Sequence, residues 1–578
     1  MTVDIGKVPF SAYGSYMAVS KLPGDFRGLG NRPGFFLRSI NGLTYIPNLP
    51  GWGKEFGLVA RLVPLYNGTE VGAVETMTPW ALILQTAHGS VSICFADTDT
   101  LLVRGESAGL GLRLEIEPCS FTHTLPIQEQ DYFQLNCMKL GRRFVAHAQT
   151  GTLALQQDWG EIAAFDIAFT VAPGDDGFLL VLTDMAADWT GAARVYDFDA
   201  SMAAVASGFR TYADGMPAVP AVFAEVAAQA AYVNWASTVK QSGNLTREAM
   251  LMSKNWMCNI WSWDHCFNAL ALAERFPDKA WDQFIIMFDY QDKTGAIPDY
   301  VNNIYTERGF CKPPVHGWAL SKLRERMILS AAQKEEAYDR LGKWTRWWLN
   351  YRDHDNDGVC EYIHGNDSGW DNATAFRAQP GVELPDLAAF LILQMDVLAA
   401  LADELGRPHD AREWREKSDR MLSAMLAHCF PDGKPRAVTN ASHEVVENES
   451  LILYLPIVLA EKLPKDVAAY LMEQLMSGRF LTEHGFATEA PASEFYMSDG
   501  YWRGPIWAPS TMILLDGLSR LGAHDFARDV AERFCKLVRN GGFAENFDAL
   551  TGQGHRDPSY TWTSSIFLLL ANTYLLEG

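Results

Sequence analysis

The sequence predicts a multi-domain protein: an N-terminal antiparallel β-sandwich over residues 1–215, then an all-α domain over 222–578 folded as a closed α/α barrel. Three observations predict it. Up to about residue 200, apolar residues come in short runs, several alternating with period two. Asp214-Gly-Met-Pro-Ala-Val-Pro220 then places two prolines and a glycine where that alternation stops. Beyond it, about twelve segments carry an apolar face at helical spacing.

The strand-like runs are Leu58–Pro64, Ala81–Leu84, Val91–Phe95, Leu101–Val103, Leu112–Ile116, Phe165–Phe169 and Phe178–Leu182, separated by Asn-Gly, Pro-Gly and Asp-Asp-Gly turns. The start of the chain, up to Asn48, is Gly- and Pro-rich and receives no element. The helical segments begin near residues 224, 264, 278, 316, 335, 385, 408, 443, 464, 505, 523 and 560. They alternate in character: Leu387–Leu398 and Ser564–Ala571 are apolar nearly all round, whereas Ala411–Arg420 and Phe526–Arg533 are charged on one face. A helix wet on no side is enclosed, and one wet on a single side lies outside. Inner and outer layers of about six helices each make a closed barrel; a two-layer α-solenoid shows the same alternation.

Composition narrows the partners. With 578 residues, 48% hydrophobic and 20% charged, the chain has the composition of globular domains. Its formal net charge of −22 opposes nucleic acid and anionic membrane, but a neutral small substrate meets no such barrier. The first residues carry an early acid and no apolar run of signal-peptide length, and no later stretch is judged to reach the ~18 apolar residues of a bilayer span. Nine cysteines (94, 119, 137, 258, 266, 311, 360, 429 and 535) are scattered without a Cys-x-x-Cys pair. Reduced thiols in a cytoplasmic protein are expected. Nothing in the sequence addresses oligomeric state.

The candidate chemistry sits in the helical part. Trp261, Trp263, Trp318, Trp370, Trp502, Trp507 and Trp562 fall at or near predicted helix starts, with Asp264, His316, Asp371, Arg503 and Glu545 among them. In a barrel, the loops entering inner helices share one rim, so these residues converge. Indole faces stack on apolar sugar faces while acids and Arg bind hydroxyls, so a small carbohydrate is the ligand class that fits. Hydrolysing an acetal needs a protonated acid at the leaving oxygen and, for inversion, a second carboxylate activating water. Asp371, beside Trp370 in Gly365-Asn-Asp-Ser-Gly-Trp-Asp371, is the expected acid, and Glu545 the expected ionised base. Singly, Asp371 also suits a helix cap and Glu545 a solvated loop.

Just upstream, Asp353, Asp355, Asp357 and Gly358 reproduce the first half of a calcium loop, with Glu361 following. The bidentate acid expected at the twelfth position is absent, since residue 364 is His, so a solvated acidic turn stays open. Any calcium here is expected to be structural; the chemistry requires no cofactor.

Six ordered motifs resemble glycoside hydrolase family sixty-three: Trp261-Ser-Trp-Asp-His265, Gly295-Ala-Ile-Pro-Asp299, Lys312-Pro-Pro-Val-His-Gly-Trp318, His364-Gly-Asn-Asp-Ser-Gly-Trp-Asp-Asn372, Tyr501-Trp-Arg-Gly-Pro-Ile-Trp507 and Glu545-Asn-Phe-Asp-Ala-Leu-Thr-Gly552. The resemblance covers most of 224–578. It implies an (α/α)6 barrel and inverting hydrolysis of an α-glycoside, with Asp371 as acid and Glu545 as base. It also implies sugar contacts from Trp263, Asp264, His316, Trp318, Trp370 and Arg503, to which the helix-start pattern adds Trp507. It further implies a calcium loop of Asp353, Asp355, Asp357 and Glu361. The motifs show no strong basic cluster, so a neutral α-glucoside is the first expectation and a mannosylglycerate- or glucosylglycerate-type hydrolase the second. A disaccharide phosphorylase and a non-catalytic sugar-binding protein are the remaining readings.

Overall fold

The computed structural model describes residues 1–23, 32–40, 57–117, 121–127, 132–185 and 194–576. Cys119 and the stretch 41–48 lie outside them. The chain forms two compact units: Met1–Asp214 with Ala231–Asn259 and Asn302–Tyr305, and Gly215–Ala230 with Ile260–Val301 and Thr306–Gly578. The expected single boundary between 215 and 222 therefore needs correction, because the chain returns to the first unit after Ala230. Lys254 shows why. Its ammonium is buried and donates to Ser11 Oγ (3.0 Å) and to the carbonyls of Ser15 (2.6 Å) and Thr238 (3.3 Å), all in the first unit.

The first unit holds two antiparallel sheets. One runs Met17–Leu22, Gly34–Ser39, Leu58–Tyr66, Leu110–Ile116, Ala164–Ala172, Thr152–Trp159, with Thr69–Glu70 added to Leu58–Tyr66. The other runs His123–Pro126, Tyr132–Cys137, Arg142–Thr150, Phe178–Met185, Thr100–Gly105, Gly89–Phe95, Leu82–Thr86, Val74–Met77. All seven expected apolar runs fall on these strands, the one from Ala81 starting one residue before its strand. Tyr66 pairs with Thr69 across Asn67-Gly68, both at positive φ (47° and 79°), the two-residue turn whose twist matches the strands it joins. Phe133 and Phe169, one from each sheet, meet at 5.8 Å. Helix α1 (Phe198–Asp214) was not expected in this part of the chain. It is anchored by Phe198 against Cys94, Leu102, Leu179 and Val181 of the second sheet.

The second unit is helical. Its inner segments are α3 (Asp264–Leu272), α5 (His316–Arg326), α7 (Pro385–Glu404), Leu451–Lys462, α10 (Ala508–Arg520) and α12 (Thr561–Leu570). Each touches the next in that order, and α12 touches α3 again. Outside them, α4 (Pro277–Ile285) lies on α3; α6 (Ala331–Tyr351) and α8 (Pro408–Cys429) lie on α7; α9 (Lys465–Met476) lies on Leu451–Lys462; and α11 (His524–Gly541) lies on α10 and α12. Inner helices approach to backbone contact: a Cβ on Gly317 of α5 would sit 2.3 Å from Gln394 Cα of α7.

Two expectations are corrected here. The segment expected near 443 starts at Leu451 and is a 3-10 helix. Pro456 within it has no N–H to give, and Ala460 breaks it with non-helical φ/ψ. Helix α7, contrary to the expectation of no such stretch, is long and apolar enough by length and composition to cross a membrane. Most of it is buried, and α5, α6, α8 and Leu451–Lys462 surround it, which accounts for a helix without a polar face.

Candidate active site

Asp371 ends a tight loop. Residues Gly365–Ser368 form a 3-10 turn closed by Ser368 Oγ, which donates to the Gly365 carbonyl (2.7 Å) and accepts from the Trp370 N–H (3.1 Å). Gly369 follows at φ 74°, and a Cβ there would lie 2.7 Å from the Trp263 ring, so the position takes only glycine. Asp367 braces the turn from beneath, accepting from Arg352 Nη1 (2.8 Å) and the Cys311 and Ile363 N–H groups (both 3.2 Å). Asp371 emerges with about a third of its side chain (34%) open to solvent.

Beside it lies Lys312, which the sequence reading did not select. It is buried, its Nζ 4.0 Å from Asp371 Oδ1 and 3.0 Å from Asp299 Oδ1, and it donates to Asn366 Oδ1 (2.7 Å) and to the Asn366 carbonyl (2.8 Å). Burial holds the Asp371 carboxyl above the ordinary range while Lys312 and His364 pull it back. Burial also lifts Asp299 to about 6 against the same ammonium. It lifts Asp264 to about 7, although the Tyr560 hydroxyl (3.0 Å) and Lys312 oppose the rise. Burial would lower Lys312, but Asp299, Asp371 and Asp264 carry it above its usual value, so it stays a cation.

Glu545 sits in a different setting. Its side chain is buried, and Tyr501 donates a 3.1 Å hydrogen bond to Oε1. Its N–H bonds the Asp557 carbonyl (2.8 Å), and its carbonyl accepts from Trp562 Nε1 (3.2 Å). Burial, reinforced by Asp557, pushes Glu545 up to about 8, with Tyr501 and Arg556 opposing.

Asn372 ties the two acids to one loop. Its Nδ2 donates to the Gly500 carbonyl (3.0 Å), its Oδ1 accepts from the Trp502 N–H (3.0 Å), and its carbonyl accepts from Arg503 Nε (2.6 Å). Tyr501, which bonds Glu545, lies between those contacts at a left-handed φ of 63°.

The tryptophans pack on one another. Trp502 stacks with Trp370 (4.6 Å) and Trp507 (3.8 Å), and Trp263 and Trp507 pack edge-on against Trp562. Trp263, Trp370 and Trp507 are buried, so their faces meet each other instead of an open cleft. His316 is likewise enclosed, against Phe288 and His265. Trp318 lies in the core with its indole donating to Asp516 of α10 (2.9 Å). Of the expected catalytic and sugar-binding residues, only Asp371 and Arg503 reach solvent.

The acidic loop draws three of its four expected ligands into one group. Asp353 Oδ1 and Oδ2 accept the Asp357 and Gly358 N–H groups (3.1 and 3.2 Å), and Glu361 pairs with His354. Asp353, Asp355 and Asp357 do converge, but Asp357 also converges with Glu383, His428 and His443. Neither Glu383 nor the two histidines were singled out in the sequence, since no fixed spacing links them. Lys312, Asp299 and Asn372 did stand inside the six motifs; their signal was a charge or amide close to Pro or Trp.

Residues 257–563 match the family described as mannosylglycerate hydrolase MGH1-like glycoside hydrolase domain. A mannosylglycerate hydrolase of Rubrobacter radiotolerans is 25% identical over 412 residues, 55% of this chain and 91% of that protein. A glucosylglycerate hydrolase of Mycolicibacterium hassiacum is 22% identical over 440 residues, 60% of this chain and 97% of that protein. A bacterial glucoamylase solved in complex with acarbose shares the fold, with a TM-score of 0.58 at 11% identity over 99% of this chain and 94% of that one.

Proposed function

Since the chain belongs to the MGH1-like family and with it to glycoside hydrolase family sixty-three, it is a glycoside hydrolase, and we propose that it cleaves, with inversion, an α-glycosidic bond joining glucose or mannose to a small hydroxy acid such as glycerate. The observation that carries this reading is the Asn372–Tyr501 tether. It ties one acid that is partly open to solvent and a second that is buried to the same loop, Gly500–Arg503.

In this mechanism Asp371 protonates the leaving oxygen, and burial, which raises its pKa, favours the form that carries the proton. Glu545 removes a proton from water on the opposite face of the sugar, and the same proton-holding environment makes it a strong base once ionised. Lys312 positions Asp371 and Asn366 and stabilises the carboxylate left after proton transfer. The stacked indoles form a rigid wall that keeps both acids in place. These proton transfers need no cofactor. We read the six inner segments as an (α/α)6 barrel, with the two β-sheets as a separate domain.

The substrate assignment departs from the sequence reading, which put a neutral α-glucoside first. Relatives named for mannosylglycerate and glucosylglycerate favour the second expectation. Arg503 supports it too: it is half-exposed, and its Nε holds the Asn372 carbonyl, placing a cation beside the acid loop for a substrate carboxylate. The eight cysteines among the described residues are buried, which suits the reducing cytoplasm we infer for the protein.

The test is a panel of glucosylglycerate, mannosylglycerate and neutral α-linked disaccharides, with proton NMR of the first-formed sugar. Turnover of a glycosylglycerate with release of the β-anomer is expected. Turnover of neutral disaccharides alone would return the assignment to an α-glucosidase, and release of the α-anomer would refute inversion.

A further inference from the structure

An exposed aromatic pair stands at the rim of the acid-bearing loop. Phe310 and His364 meet with ring centroids 5.1 Å apart, and 40% of Phe310 is open to solvent. Both stand close to the acid along the chain: Phe310 shortly precedes Lys312, and His364 shortly precedes Asn366. Lys312 lies 4.0 Å from Asp371 Oδ1 and holds the Asn366 side chain (2.7 Å) and carbonyl (2.8 Å), which joins the two stretches beside the acid. The charge of His364 also reaches the Asp371 carboxyl.

Buried contacts fix the pair. Asp367, buried and bonded to Arg352 (2.8 Å), accepts the Cys311 N–H through Oδ1 and the Ile363 N–H through Oδ2 (both 3.2 Å). Cys311 follows Phe310 and Ile363 precedes His364, so one carboxylate pins the backbone beneath both rings. The imidazole is oriented as well. Its Nδ1 accepts the Asn366 N–H (3.0 Å), so the proton of the neutral ring sits on Nε2, and Nε2 has no partner among the described residues.

A general acid hands its proton to the oxygen that departs, so what surrounds its open side meets the leaving group. A ring face and one oriented N–H suit a small hydroxylated leaving group, with carbon against the ring and oxygen on the donor. Groups already held in place bind without the cost of ordering them. We propose that Phe310 and His364 form the leaving-group subsite, with His364 Nε2 donating to a carboxylate or hydroxyl oxygen of the departing hydroxy acid and Phe310 covering its carbon chain. The proposal rests on the reading of the chain as a hydrolase of hydroxy-acid glycosides and assigns to these two residues the choice of what can leave.

The test compares His364→Asn and Phe310→Ala, each in the full chain, on two substrates. One is glucosylglycerate or mannosylglycerate, whichever the unsubstituted enzyme hydrolyses, and the other is the matching α-glycosyl fluoride, which offers the subsite no carbon chain and no oxygen. Asn keeps an acceptor for the Asn366 N–H and removes the Nε2 donor, and far-UV circular dichroism checks that both variants fold. In His364→Asn, KM for the glycosylglycerate should rise by roughly tenfold or more, as loss of a hydrogen bond to a charged group implies. In Phe310→Ala it should rise by about threefold. In both, kcat should change less than KM, kcat/KM should fall further on the glycosylglycerate than on the fluoride, and inhibition by free D-glycerate should weaken. Equal losses on the two substrates would make the pair only a brace of the acid loop, and unchanged KM with unchanged glycerate inhibition would leave it without a ligand; either overturns the proposal. If the unsubstituted enzyme cleaves only neutral disaccharides, the hydroxy-acid reading fails on its own. The subsite is then decided by the same contrast between disaccharide and fluoride: a larger loss on the disaccharide keeps Phe310 and His364 as contacts of the leaving group, and equal losses remove them.

Discussion

Asp371 and Glu545 look alike in the sequence, each an acid set among aromatics beside a turn, yet the structure gives them opposite surroundings. Asp371 faces solvent over about a third of its side chain and has an ammonium beside it, while Glu545 is sealed with a phenol as its hydrogen-bond donor and an acid, Asp557, as a neighbour. Both shifts have the same leading cause, burial, and differ in what opposes it: Lys312 and His364 for Asp371, Tyr501 and Arg556 for Glu545. The identity of an acid's immediate neighbours, contributed from distant parts of the chain, therefore distinguishes two residues that local sequence does not.

The sharpest way to break the comparison is to remove each acid in turn. Asp371→Asn and Glu545→Gln should each lower kcat on a natural glycoside by roughly 10²–10⁴-fold. They should part company on a glycosyl fluoride, whose leaving group needs no proton: Asp371→Asn should recover most of its activity and Glu545→Gln should not. Equal recovery in both would cancel the division of roles.

Next in size is Lys312→Met. Taking one partner from a buried ion pair leaves Asp299 uncompensated, so thermal unfolding should show a loss of about 3–5 kcal/mol. Because Lys312 holds Asp371 down, its loss raises the Asp371 pKa, and the limb of the kcat/KM–pH profile that belongs to this acid should move to higher pH. A stability loss with an unmoved profile would make Lys312 a packing residue only.

How far the sequence revealed these features depended on whether they are local. Short apolar runs bounded by turns marked Leu58–Tyr66 and Phe178–Met185, because nearly every residue of each strand is buried, and all-round apolarity marked α7 as an inner helix. Helix α1 was missed because Phe198–Asp214 lies in a stretch read as β by its neighbours, and its partner surface is a sheet face made by residues 94–181. In the site, the acids and tryptophans were legible as residue types, but the sequence could not show that the indoles face each other. Tyr501 owes its reach to Glu545 to a left-handed backbone, and Glu383, His428 and His443 converge only after three strands and a helix are in place.

The smallest expected effect isolates the second acid. Tyr501→Phe removes one hydroxyl and keeps the ring, which packs on Trp507 at 4.9 Å, so stability should change by no more than about 1 kcal/mol. The hydroxyl stabilises the Glu545 carboxylate, so without it the protonated form gains and the pKa rises above its present value of about 8. The limb of the kcat/KM–pH profile nearest pH 8 should therefore shift upward, with activity at its optimum down by less than about tenfold. The opposite limb should stay in place, because Tyr501 makes no hydrogen bond to Asp371 among the described residues. Macroscopic values in a coupled pair belong to the pair, so the same measurement on Lys312→Met is needed for assignment. If the two substitutions move different limbs, the two acids titrate as separate groups; if both move the same limb, the contrast between the open acid and the sealed one does not extend to their protonation.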